Sequence, residues 1–176
     1  MFWRVPCTVL AISTGLFLSP FPLFAQTSSS DEYRVLTKAD RGLSLNTVEK
    51  LLIDGDELFS KGNYSQARKK YDKARDMSKL LLGFYGDLSN SFKGVDALIP
   101  REMDSNSRKV LSLISKANLK LAILFRKNNQ PELAVPLLVE VVRISGPAKE
   151  EGRQAYMDLI ELGFVNTPFR GGRKRP

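Results

Sequence analysis

Between Gly55 and Ala74 the chain sets small and large residues at intervals that suit two antiparallel helices packed against each other. Gly55, Ala67 and Ala74 are small, whereas Leu58, Tyr64 and Tyr71 are large, and Gly62 separates the two halves. Residues three or four apart share one face of a helix, so Gly55 and Leu58 face together before Gly62, and Ala67, Tyr71 and Ala74 face together after it. The small residues let two backbones approach, and the large ones fill the wedge beside them. The run specifies a helical hairpin.

The same periodicity continues on both sides and predicts an all-α fold of antiparallel helical hairpins. Val48, Leu51, Leu52, Gly55, Leu58 and Phe59 predict a first helix from Leu45 or Asn46 to Ser60, ended by Lys61-Gly62-Asn63. From Tyr64, apolar residues recur at Tyr71, Ala74, Leu81, Phe84, Leu88, Phe92, Val95 and Ile99. They predict one extended helix over about 64–98 that passes Gly83, Gly86 and Gly94 and stops at Pro100. A third helix is expected from Asp104 or Ser105 to Lys127, with Val110, Leu113, Ile114, Ala117, Leu121 and Leu124 on its stripe. Asn128-Asn129-Gln130 then turns the chain into a fourth helix that starts at Pro131 and ends at Gly146-Pro147. A fifth helix is expected over about 148–162. The folded domain is thus 44–163, flanked by a flexible linker at 26–43 and a flexible basic tail at 164–176.

Helices one and two closely resemble the tetratricopeptide repeat, a helix–turn–helix unit that stacks into solenoids and usually binds other proteins. Leu121, Ala122, Phe125, Ala134, Leu138 and Val141 stand where Asp54, Gly55, Leu58, Ala67, Tyr71 and Ala74 stand 67 residues earlier, so helices three and four resemble a second, degenerate unit. A unit between them is missing, because Arg101 occupies a position that needs a small residue. The expected architecture is a short solenoid of this type or a five-helix bundle, with helices two and three forming a protruding hairpin. The resemblance implies a groove lined by the first helix of each pair: Glu49, Leu52, Asp56 and Phe59, facing Lys116, Leu119, Ile123, Arg126 and Lys127. A protein or peptide partner is expected there, with Phe59 the leading candidate anchor. The family's carboxylate clamp of lysine and asparagine is not expected, because Leu52 and Asp56 occupy those first-repeat positions.

The first 25 residues read as a signal peptide or a retained N-terminal anchor. Arg4 precedes an uncharged apolar run from Thr8 to Leu18, Ser19-Pro20-Phe21-Pro22 breaks it, and Leu23-Phe24-Ala25 offers a cleavage sequence before Gln26. The chain is therefore expected to be exported to a periplasm or equivalent lumen, either free or held to the membrane through residues 8–25. The only cysteine (Cys7) and the only tryptophan (Trp3) lie in this segment, and the chain has no histidine. A product beginning at Gln26 would hold no imidazole or thiol for metal binding or nucleophilic catalysis. Glu140 with Glu161 and Asp56 with Glu57 are the nearest approach to paired carboxylates, and nothing distinguishes them from surface charge. No phosphate-binding or dinucleotide motif is present. The expectation is an adaptor or scaffold that is not an enzyme and uses no cofactor. The alternatives are a membrane-surface protein acting through its basic tail and retained N-terminal segment, or a structural bundle that associates with itself.

The formal charge is +8, or +7 without Arg4. Arg170, Arg173, Lys174 and Arg175 supply four of those seven charges, which makes an anionic membrane surface a second expected partner for the tail. Arg68, Lys69, Lys70, Lys73, Arg75 and Lys79 read as a solvated helix face balanced by Asp72 and Asp76. No nucleic acid is expected.

Overall fold

The computed structural model describes residues 42–169 and 171. The expected signal or anchor segment, residues 26–41 of the linker, and Arg170, Arg173, Lys174 and Arg175 lie outside the described residues.

Five helices follow one another: α1 Leu45–Ser60, α2 Tyr64–Ser91, α3 Leu98–Lys127, α4 Pro131–Ser145 and α5 Glu150–Glu161. Among the described residues there is no strand, so the fold is all-α. Each helix packs chiefly on its neighbours in sequence, and α3 also touches α1 and α5. The core follows from that arrangement: Val110, Ile114, Ala117, Leu121 and Leu124 form a fully buried spine on α3, with Val48, Ala67, Tyr71, Ala74, Ala134, Leu138, Val141 and Ala155 packed around it.

Local chemistry sets most helix ends. Ser44 caps α1, its hydroxyl accepting from the Thr47 amide at 3.2 Å. At the other end of α1, Asn63 N–H donates to the Leu58 carbonyl at 2.9 Å and Gly62 N–H to that of Phe59 at 3.0 Å, with Gly62 at φ 78°. This pair of bonds is the Schellman closure. The end of α3 repeats it with Asn129 at φ 55°, where Gln130 N–H bonds the Phe125 carbonyl at 2.9 Å. Pro131 then takes the first helical position of α4. Gly163 and Phe164 close α5 in the same way, onto Ile160 at 2.9 Å and Leu159 at 3.0 Å.

The second helix runs unbroken through Gly83 and Gly86 but stops at Ser91, seven residues before the expected end. Gly94, at φ 84°, reverses the chain, and the Asp96 carboxylate accepts from the Leu98 amide at 2.6 Å and the Ile99 amide at 3.3 Å. Helix α3 therefore starts at Leu98, not at Asp104 or Ser105. Pro100 does not act as a stop. It sits in the first turn of α3, where a backbone N–H would have no partner within the helix. Asp104 lies inside α3 and accepts from the Ser89 hydroxyl of α2 at 3.0 Å.

Gly55 is required by close approach. A Cβ there would lie 2.7 Å from Cδ1 of Tyr71 and closer still to Cε1, against a ring that is 2% exposed. Gly86 is the opposite case, since a Cβ would meet nothing within 4 Å and the backbone is helical. Gly86→Ala is expected to raise the unfolding free energy by about 0.5–1 kcal/mol, checked by urea denaturation. An unchanged or lowered midpoint would show that the helix is not formed at this point.

The residues on either side of the domain are tied to it. Leu43 packs partly buried against the core, the Tyr156 hydroxyl donates to the Thr167 carbonyl at 2.7 Å, and Phe169 meets the Tyr156 ring edge-on at 6.4 Å. The beginning of the expected tail thus folds back on α5. Among the described residues, no helix is long and apolar enough to cross a membrane.

Candidate functional site

Because α1 and α3 touch only lightly, a trough runs between them over the buried face of α2. Its upper part, about 330 Å³, is lined by Glu49, Leu52, Ile53, Asp56, Leu113, Lys116 and Lys120. Its lower part, about 180 Å³, is lined by Asp56, Phe59, Tyr71, Lys120 and Ile123. Asp56 and Lys120 belong to both, so their ion pair spans the trough.

That pair is tight. Lys120 Nζ lies 2.7 Å from both carboxylate oxygens of Asp56, and the Tyr71 hydroxyl donates to Oδ1 at 2.7 Å. Asp56 accordingly joins three helices: it stands on α1, accepts from α2 beneath it and faces α3 across the trough. Burial raises the Tyr71 pKa well above the ordinary phenol value, and the hydrogen bond to Asp56 and its negative charge raise it further. The phenol therefore remains a donor to Asp56 at every physiological pH. Lys120 and Asp56 are partly solvated, at 31% and 48% side-chain exposure, so the bridge contributes under about 1 kcal/mol of stability. Its importance is positional.

Apolar surface flanks the bridge. Ile53 is 59% exposed and Ile123 40% exposed, on opposite walls. Phe59 stacks at 5.2 Å on Tyr64, at the tilted angle of 57°, and Lys127 Nζ approaches its ring at 5.9 Å.

The trough brings together seven of the nine residues expected from the sequence: Glu49, Leu52, Asp56 and Phe59 on α1, with Lys116, Ile123 and Lys127 on α3. Two are not part of it. Leu119 is buried, and Arg126 turns to α5, where Nη1 meets Asp158 at 3.2 Å and Nη2 meets Glu161 at 2.8 Å. The reason is angular. Leu119 and Arg126 stand one heptad apart and share a stripe rotated away from the Lys116–Lys120–Ile123 face. Desolvation raises the Asp158 pKa, and the Arg126 guanidinium opposes that shift, so Arg126 serves the α3–α5 contact.

Ile53, Leu113, Lys120 and Tyr71 belong to the trough but were not among the expected site residues. The signal for the first and third was spacing, since Ile53 follows Glu49 and Lys120 follows Lys116 by one helical turn. No sequence signal points Tyr71 at Asp56.

Outside the trough, the basic face of α2 is largely paired. Arg68 meets Asp72 at 3.5 Å and lies over the Phe125 ring at 4.8 Å, Lys70 meets Asp54 at 2.8 Å, and Lys79 meets Glu140 at 3.4 Å. Glu140 also accepts from the buried Asn118 amide at 3.0 Å. Glu161 is held by Arg126, so Glu140 and Glu161 serve different helix contacts and do not form a pair. The large apolar residues expected along this helix divide: Tyr71 is buried, Phe92 is partly covered, as is Tyr85 beside them, and Phe84 and Leu88 stay exposed.

Comparison of the chain with protein-family models, curated proteins and solved structures found no family model, no curated protein and no solved structure that matches.

Proposed function

We propose that this protein is a non-enzymatic adaptor that binds an amphipathic segment of another protein in the trough between α1 and α3. The observation that carries the reading is a trough that exposes Ile53 on one side of the Asp56–Lys120 bridge and Ile123 on the other. Isolated exposed apolar residues are ordinary on a protein surface, but two within one concave trough, Ile53 in its upper part and Ile123 beside the Phe59 ring in its lower part, form places for anchor side chains. Lys116 and Lys127 exceed Glu49 in the remaining charge, so an acidic flank on the ligand is favoured.

The reading as a tetratricopeptide-like unit draws support from matched burial. Gly55, Ala67, Tyr71 and Ala74 are buried in the first pair, as are Ala122, Ala134, Leu138 and Val141 in the second. The apolar run before Ser19-Pro20 supports export, with the work done in a periplasm or equivalent lumen.

A photo-reactive residue at Ile53 tests the proposal in the native compartment, with one at Val139, exposed on α4, as control. A discrete adduct is expected from position 53, absent from 139, and reduced at least about tenfold by Lys116→Glu combined with Lys127→Glu, since each charge reversal at a close interfacial contact costs about 1 kcal/mol or more. The same adducts from both positions, or indifference to the charge reversals, would overturn it.

A further inference from the structure

Helix α1 covers only the lower part of α2. It has 16 residues against 28, and Thr47, close to its start, shares a crevice wall with Met77. The face of α2 that lines this crevice, through Lys70, Lys73 and Met77, continues at helical spacing into Leu80, Phe84 and Leu88. These three are 50%, 47% and 45% exposed. Beyond the start of α1, therefore, this face of α2 continues with no helix beside it. An apolar strip about 12 Å long, eight residues at the helical rise, lies open beyond the start of α1.

Charge adds a second constraint. The upper hairpin, residues 82–105, carries Asp87, Asp96, Glu102 and Asp104 against Lys93 and Arg101, four negative charges to two positive in an otherwise basic chain. Asp87 is exposed beside the upper half of the strip, whereas at its lower end Asp76 meets Arg75 at 3.8 Å and Lys73 and Lys79 are exposed, so the acidic border belongs to the upper half. An acidic border of this kind disfavours an anionic membrane surface and favours a basic, apolar occupant.

The chain itself supplies one at this place. Residues 33–41 read Tyr-Arg-Val-Leu-Thr-Lys-Ala-Asp-Arg, with Tyr33, Leu36 and Ala39 apolar at every third position and Arg34, Lys38 and Arg41 against a single Asp40. They precede α1, whose start lies beside the lower end of the strip. Leu36 precedes Leu45 by nine residues, a span of about 14 Å at the helical rise and up to about 30 Å extended, so either conformation reaches Phe84. The segment also lies beyond Ala25 and remains in the chain whether or not cleavage occurs there.

We propose that residues 33–41 dock on the Leu80–Phe84–Leu88 strip, completing in cis the layer that α1 begins. Tyr33 and Leu36 meet the apolar strip, and Arg34 and Lys38 meet its acidic border. Because the segment is tethered, the contact forms at high effective concentration and needs little intrinsic affinity.

The test uses the full chain with Cys7→Ser, oxidised with copper phenanthroline at micromolar protein. Leu36→Cys with Phe84→Cys is compared with Leu36→Cys with Asn90→Cys. Asn90 is exposed about 9 Å further along α2, within the extended reach of the segment, and turned roughly 120° away. The proposal expects an intramolecular disulfide for position 84 at least about ten times faster than for position 90, the effect of an effective concentration set by docking and not by tether length alone. Phe84 is half-exposed, so its replacement leaves the core in place, which circular dichroism verifies. As a second readout, alkylation of Phe84→Cys is expected to accelerate several-fold when Tyr33 and Leu36 are both replaced by aspartate. Equal rates at 84 and 90, disulfides found only between two chains, or alkylation insensitive to Tyr33 and Leu36 would each overturn the proposal. Disulfides between chains would assign the strip to a second copy of the protein.

Discussion

Tyr71→Ala is expected to lower the unfolding free energy by about 3–5 kcal/mol, the range for deleting a buried aromatic ring. The ring is 2% exposed and wedges against Gly55, so its removal opens a cavity where α1 crosses α2. It also removes the hydroxyl that supports Asp56 from beneath. Tyr71→Phe separates the two effects. The ring stays, and the loss falls to about 1–2 kcal/mol for one hydrogen bond to a charged acceptor that keeps Lys120 as a partner. The pH dependence follows from the raised phenol pKa, caused first by burial and then by Asp56. A group that holds its proton more tightly when folded contributes stability in full below the unfolded value, about 10 for tyrosine, and loses it as pH rises beyond that. Wild type is therefore expected to lose stability relative to Tyr71→Phe above about pH 10. Urea titrations of both proteins across that window check the sign; parallel curves would show that the phenol is not buried against Asp56.

Leu121→Ala is expected to cost about 2–5 kcal/mol, with the urea midpoint shifted and the m-value unchanged. Leu121 is fully buried at the centre of α3, the one helix that touches all four others, so the cavity it leaves cannot be filled by a movement of one neighbour alone. Leu133→Ala removes the same side chain from α4, where it is 41% exposed, and is expected to change stability by no more than about 0.5 kcal/mol. The comparison isolates burial from hydrophobicity. Similar losses at the two positions would mean that α3 is not the hub of the fold.

Which features were legible in the sequence depended on how far apart the interacting groups lie. The ends of α1, α4 and α5 could be read within a residue or two because their causes are local: Ser44 before Thr47, Gly62 after Lys61, and Pro131 after Asn128-Asn129-Gln130. The apolar stripes followed for the same reason, since helical periodicity places them on one face regardless of what covers it. The α2–α3 turn is an instructive difference, because two local signals competed there. Pro100 looked like a terminator, but Gly94 and Asp96 acted first, and a proline in the first turn of a helix breaks no bond.

The trough was legible to the extent that periodicity defines a helix face. Glu49, Leu52, Asp56 and Phe59 share one face of α1, and Lys116 and Ile123 lie on one face of α3. The destinations of those side chains were not legible. Arg126 and Lys127 are adjacent and alike in charge, yet one pairs with Asp158 and Glu161 on α5 and the other lies over Phe59. Nothing within a helical turn of either residue distinguishes them; the position of α5 does. The same holds for Asp56, whose partners lie 15 and 64 residues away. The sequence by itself determined the helices, their caps and the faces they bury, because those are set by contacts over one or two turns. Only the tertiary structure decided which charges are bridged across the trough, which aromatic rings are covered and where the face of α2 is left open, because those depend on the packing of helices distant in the chain.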